Sequence, residues 1–188
     1  MKITSQLALA AVLALSAVGA FAQQKLVPAQ SDIAFTSKQM GVPVDGRFKK
    51  FDAQIAFDPK KPETSKIAFT IDLGSASLGA AETEAELAKG EWFNIKAFPQ
   101  ATFQSSSVKA TGPGKFDVAG KLTIKGNSQD VVVPVTLAQA GGNTTASGSF
   151  TIKRLDFKIG DGDWKDTSLV ANEVQVKLKL VLNGVPAL

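Results

Sequence analysis

Apolar and polar residues alternate along most of this chain, in short runs closed by turn residues. Over residues 31–38 the alternation puts Ile33 and Phe35 on one face. Phe51, Ala53, Ile55 and Phe57 repeat it and stop at Asp58-Pro59. Ile67, Phe69, Ile71 and Leu73 share a phase, as do Phe116, Val118, Leu122 and Ile124. Gly126-Asn127 turns the chain into Val131, Val133, Val135 and Leu137, and Gly141-Gly142-Asn143 turns it again toward Phe150 and Ile152. The cleanest alternation is Val174, Val176, Leu178 and Leu180 with Gln175, Lys177 and Lys179 between them. A period of two makes one sheet face apolar and the other wet. Short turns between many strands make most pairings antiparallel. The expected class is all-β, with about eight strands. A flat sheet of that size would expose its whole apolar face, so the strands must close into a barrel or pack as a sandwich. A barrel of about eight strands can be filled by side chains or can hold one small ligand.

One stretch departs from the pattern. Residues 79–89 are rich in Ala, Glu and Leu, and Gly90 is placed to end a helix. A short helix is expected there, over an open side or end of the barrel. Trp92, Phe93 and Phe98-Pro99 follow at irregular spacing and suit either an apolar plug beneath that helix or ordinary core under a loop.

The chain has 188 residues, of which 1–22 carry a leader pattern: Lys2, an apolar run over 7–18, and Ala20-Phe21-Ala22. The run falls short of the ~20 residues that span a bilayer. A cleaved signal peptide is therefore expected, leaving about 166 residues, 23–188, as one domain with a sizeable core. Cysteine is absent, so stability must come from packing. Export without disulfides points to a bacterial periplasm, with secretion beyond it as the alternative. The net charge of +4 is mild, and Arg47 and Arg154 are the two arginines. No Arg/Lys cluster with stacking aromatics supports nucleic-acid binding. The charge allows at most a weak, transient attraction to anionic membrane surfaces.

Histidine, cysteine and tyrosine are all absent. This removes the commonest general base, the commonest thiol nucleophile and most transition-metal ligands. Ser106 and Lys109 have a serine-hydrolase spacing, but the chain around them reads as strand, where positions three apart face opposite ways. Asp161-Gly162-Asp163 hints at a calcium loop, yet Lys165 stands where a further oxygen ligand is needed, so a hairpin turn is expected. No catalytic residue and no metal site are assigned, and no cofactor is required. Arg154 falls on the apolar phase of the strand holding Phe150 and Ile152, with Asp156 on the same phase. A buried guanidinium needs partners. Either it pairs with a carboxylate and ties a bulge near Leu155, or it lies near a cavity and meets an anionic or carbonyl headgroup.

Several segments together resemble the YceI family of exported, lipocalin-like polyisoprenoid-binding proteins. They are Ser31-Asp32-Ile33-Ala34-Phe35, Val44-Asp45-Gly46-Arg47-Phe48, Phe57-Asp58-Pro59, Trp92-Phe93-Asn94 and Phe98-Pro99-Gln100-Ala101-Thr102-Phe103. Gly120-Lys121-Leu122-Thr123-Ile124-Lys125-Gly126, Arg154-Leu155-Asp156-Phe157 and Ile159-Gly160 continue the series in family order. The resemblance implies an antiparallel lipocalin-like barrel of about eight strands with a helical flank, around an apolar tunnel for a long isoprenoid chain. It also implies compatibility with a homodimer. The chain departs from the family at Gln30 and Gln39, where members often carry His, and at Lys158, where a Gly is expected.

The reading is a non-catalytic carrier or sequestering protein whose bound ligand is a long-chain isoprenoid lipid, such as a ubiquinone-type quinone or a polyprenyl compound. By phase, the inward positions for tail contact are Phe35, Phe57, Phe69, Ile71, Phe116, Phe150, Val176 and Leu178, with Arg154 beside them. Sequestering ~500 Å² of apolar surface is worth ~12 kcal/mol gross, of which immobilisation takes back much. The alternatives are a fatty-acid or amphiphile binder, and a filled barrel acting through its surface as a stress-related interaction module.

Overall fold

In the computed structural model, residues 23–188 are described; the leader expected over 1–22 lies outside the described residues. The strands are β1 (Lys25–Leu26), β2 (Asp32–Gln39), β3 (Val42–Phe48), β4 (Phe51–Ala56), β5 (Lys66–Asp72) and β6 (Ala76–Ser77). One short helix, α1 (Ala81–Leu87), follows. The remaining strands are long: β7 (Gln100–Gly112), β8 (Lys115–Ile124), β9 (Asn127–Ala140), β10 (Asn143–Lys153) and β11 (Glu173–Asn183). All ladders between them are antiparallel.

Ten strands form one continuous path in the order β4-β5-β7-β8-β9-β10-β11-β2-β3-β6, and β1 pairs with β11 off that path. The sheet curls into a half-barrel whose end strands, β4 and β6, share no ladder and so leave a seam. Only Lys49 and Lys50 separate β3 from β4 in the chain. Taken as one bent strand, β3 and β4 leave eight long strands around the ring, the number that the alternation predicts. The corner is fastened by Ser75: Lys49 N–H donates to its carbonyl at 3.1 Å, and Lys50 N–H to its hydroxyl at 3.0 Å. At the other end, Gln24 joins β1 to β4. Its N–H donates to Ile55 O at 2.9 Å, and its side-chain oxygen accepts from Phe57 N–H at 2.7 Å.

Tight turns set the registers. Met40-Gly41, Lys125-Gly126 and Gly141-Gly142 each have positive φ at both residues, the two-residue hairpin geometry that matches strand twist. The turn into β9 thus centres on Lys125-Gly126, one residue earlier than the sequence suggests. Register then fixes the faces: Phe150 pairs with Val176, and Val176 with Phe35, so three inward residues stand in a row across β10, β11 and β2.

Three local expectations are corrected. The helix covers Ala81–Leu87 rather than all of 79–89, and Gly90 does not cap it. The returning segment supplies donors to the carbonyls at the helix end: Phe93 N–H bonds to Leu87 O at 2.9 Å, and Ile95 N–H to Ala88 O at 3.2 Å. Strand β10 does not bulge near Leu155; it stops at Lys153, and Arg154–Phe157 form a 3-10 turn. Asp161-Gly162-Asp163 is not a hairpin turn, because Gly162–Lys165 form another 3-10 turn and the Asp161 carboxylate pairs with Lys125 at 3.5 Å.

Candidate functional site: a two-chambered apolar tunnel

The inward faces pack in places but do not fill the interior. They enclose two chambers, with cavity volumes of about 120 Å³ and 230 Å³; on this measure one water needs ~10–15 Å³. The narrow chamber is lined by apolar side chains alone, among them Ile55, Phe57, Phe69, Phe116, Val133, Leu178 and Leu182. Phe57 and Phe116 meet edge to face across it, ring centroids 5.0 Å apart. The wide chamber is lined by Phe35, Phe48, Leu87, Trp92, Phe93, Arg154, Trp164 and Val170, with Ser37, Gln39, Thr83 and Glu86 as polar members. Ile33, Ile71, Leu122, Phe150 and Val176 line both, so the two abut at a waist of shared side chains.

All nine residues selected from the sequence reach this tunnel. Phe57, Phe69, Phe116 and Leu178 line the narrow chamber, Phe35 and Arg154 the wide one, and Ile71, Phe150 and Val176 the waist. The phase of the strands carried the first eight. Ile33, Val118 and Leu122 were legible by the same signal. Trp92, Trp164 and Val170 were not, because they come from irregular segments where no period marks an inward position. Phe93 is buried and shares the wide chamber with Leu87 and Trp92, as a plug beneath α1 should. Phe98 stays out of it and lies against Gly126.

Arg154 is 2% exposed and lines the wide chamber. Among the described residues no carboxylate pairs with it, against the reading of an ion pair that ties a bulge. Its Nε donates to Ala171 O at 3.1 Å, Nη1 to Ile159 O at 2.8 Å and Gly160 O at 3.1 Å, and Nη2 to Trp164 O at 2.6 Å and Val170 O at 2.7 Å. A guanidinium has five N–H donors, and five carbonyls take them. None is left for a ligand headgroup. Burial pushes the guanidinium below its ordinary pKa, though such a group stays charged. The 3-10 turn explains the missing carboxylate: residues three apart share a face there, so Arg154 and Phe157 go in while Asp156 goes out.

The wide chamber reaches the surface between the end of the β2–β3 hairpin and α1, where the lining residues Gln39 and Thr83 are exposed. Gln39 pairs with Val170 beside this mouth. Gln39 thus stands at the mouth, whereas Gln30 sits in the outer 3-10 turn Pro28–Gln30. Helix α1 is held to the barrel by Glu84, whose carboxylate accepts from the Ser77 hydroxyl at 2.8 Å and from Leu78 N–H at 3.1 Å. These bonds, the Ser77 bond foremost, hold the Glu84 carboxyl below the usual range. Ser106 and Lys109 stand on β7, both exposed, with a register shift at Ser106. Among the described residues, no group of three or more Asp or Glu is placed to hold a metal ion.

The comparisons agree with this geometry. The UPF0312 protein of Ectopseudomonas mendocina is 35% identical over 120 residues; the match spans 61% of this chain and 63% of that protein. The crystal structure of BcnA from Burkholderia cenocepacia is similar with a TM-score of 0.81 and 48% identity, covering 84% of this chain and 99% of that one. A polyisoprenoid binding domain from Saccharophagus degradans has the same fold at 17% identity, with a TM-score of 0.69 over 87% of this chain and 98% of that one. The YceI-like domain matches residues 24–182. The chain belongs to the YceI-like family.

Proposed function

We propose that this protein binds and carries a long-chain isoprenoid lipid in the periplasm, without bond chemistry, with the tail in the narrow chamber and the head end in the wide one. The observation that carries this reading is the pair of abutting chambers: an entirely apolar inner one that shares its apolar waist residues with a second one, which has a few polar groups at its mouth. A neighbour with the same fold is described as a polyisoprenoid binding domain, which supports the same ligand class here. A methyl-branched chain fills such a space well, because buried apolar area supplies the affinity and no polar atom along the tail needs a partner.

Within that class, an uncharged head of the ubiquinone type is favoured over a carboxylate. A fatty-acid carboxylate would seat best against a cation, and Arg154, the one cation lining the tunnel among the described residues, has every N–H engaged. The donors that remain, on Ser37, Gln39, Thr83 and the buried, unpaired Trp92 indole, are neutral and suit a carbonyl head. The filled-barrel reading is disfavoured by the chamber volumes.

The test is lipid mass analysis of an organic extract of the protein isolated from its native compartment. A prenyl-chain compound in near-stoichiometric amount is expected. A fatty acid, or no lipid from a protein that also fails to take up prenyl compounds in solution, would overturn the reading.

A further inference from the structure

Five large hydrophobic residues are strongly exposed among the described residues: Met40, Val42, Val132, Leu169 and Leu188. Three of the five stand together. Met40 and Val42 flank Gly41 in the β2–β3 hairpin, and Met40 N–H donates to Leu169 O at 2.8 Å, which brings the 166–171 loop against the hairpin tip. Met40 is 72% exposed, Val42 63% and Leu169 40%. Single exposed apolar residues need no explanation, but a contiguous group does.

The turn chemistry makes Met40 more unusual. It has φ 48° and Gly41 has φ 81°. A two-residue hairpin of this kind favours Asn or Asp at the first position, since an unbranched apolar side chain gains nothing from the left-handed region and pays its steric cost. A residue that suits neither its backbone nor its solvent marks a place where something other than folding sets the choice. The same tip borders the tunnel mouth: Gln39 and Val170, the immediate neighbours of Met40 and Leu169, both line the wide chamber and pair with each other.

We infer that the Met40–Val42–Leu169 knuckle is a membrane-docking surface that inserts into the outer part of a lipid bilayer and places the tunnel mouth against it. This deepens the proposed function and rests on it. The occupant follows from the cargo. A long prenyl chain resides in a bilayer and is nearly insoluble in water, so a mouth held at the bilayer surface spares the chain a crossing through water. Three apolar side chains bury too little area for a stable attachment, which suits a carrier that must leave again.

The experiment compares the wild-type protein with a Met40→Asn, Val42→Thr, Leu169→Ser variant. Asn is the residue that the turn itself prefers, so the variant should fold at least as well at the hairpin. The probe is a prenylated benzoquinone, offered from phosphatidylethanolamine/phosphatidylglycerol vesicles or from a soluble cyclodextrin complex. Uptake from vesicles should slow by about ten-fold or more in the variant, while equilibrium affinity measured with cyclodextrin delivery stays within about two-fold. Equal uptake rates from vesicles would overturn the inference and leave the carrier reading intact. A wild-type dimer that the variant converts to monomer, with vesicle uptake unchanged, would overturn it in favour of a self-association surface. Failure of the wild-type protein to take up the quinone from either source would overturn the carrier reading, and this inference with it.

Discussion

The ring of Phe35 lies across the backbone of Gly46, its cross-strand partner: a Cβ on Gly46 would stand 2.3 Å from Phe35 Cζ. Strand β3 therefore passes beneath the ring of β2, and the ring reaches Phe48 at 5.3 Å between centroids; Phe48 in turn meets Phe93 at 6.2 Å. The wall of the wide chamber is built on that missing side chain. Gly46→Ala should push the Phe35 ring inward, lower stability by roughly 1–3 kcal/mol and shrink the chamber. Phe35→Leu should recover most of the loss in the Gly46→Ala background. A double-mutant cycle by denaturant unfolding checks this, and additive losses would show that the ring is not what the methyl strikes.

Arg154 holds the loop over one wall of the wide chamber through five carbonyls. Arg154→Met leaves those acceptors buried without donors, and the expected loss is about 3–5 kcal/mol. Arg154→Lys should rescue little, since an ammonium offers three donors and no planar fork. Amide exchange over 157–171 should rise in both variants. Affinity for a quinone-headed chain and for a bare hydrocarbon of equal length should fall together. A selective loss of the headed ligand would restore a direct headgroup role.

Phe150 lines both chambers at the waist and stands in the cross-strand row Phe150, Val176, Phe35. Phe150→Trp should narrow the passage. Ligands short enough for one chamber should keep their affinity, while longer chains lose a factor that grows with each isoprene unit beyond the waist. Titration with a prenyl series of increasing length reads this directly. A uniform loss at every length would mean that the two chambers do not act as one tunnel.

Acid should loosen the helix at the mouth. Glu84 has its folded pKa held below the ordinary value by the bonds to Ser77 and Leu78. A depressed carboxyl stabilises the docked helix fully above its unfolded pKa, and that contribution fades as pH falls toward the folded value. Exchange of amides over 78–88, and the rate of ligand release, should therefore increase as the solution is taken below the ordinary glutamate range. Glu84→Gln should give faster release already at neutral pH and remove most of the acid dependence. Unchanged exchange across that range in the wild-type protein would show that α1 is held by its apolar side alone.

How much of this was legible depends on the kind of segment. In β2, the run of β4 that ends at Phe57, β5, β8, β10 and β11 the alternation names the inward face residue by residue, because strand side chains point to opposite faces with a period of two. Phe35, Phe57, Phe69, Ile71, Phe116, Phe150, Val176 and Leu178 all follow from it. Lys158 was legible as a departure, and the structure gives it a physical cost: it takes φ 55° where glycine would be at ease. The segments at 88–99 and 154–172 carry no such period. There Trp92, Trp164 and Val170 are placed by long-range backbone hydrogen bonds and by the Arg154 side chain, which local sequence does not encode. Arg154 shows the boundary well, since its burial could be read from its phase but its partners could not.

The sequence by itself determined an antiparallel, strand-built protein with one apolar surface facing inward, because residue alternation and turn chemistry are local properties. Tertiary structure alone decided that the inward faces leave two abutting chambers, that five carbonyls and no carboxylate satisfy Arg154, and that the exposed Met40, Val42 and Leu169 stand together beside the mouth. Those outcomes depend on how the sheet curls and where its seam falls, and curvature comes from registers and close contacts between residues far apart in the chain.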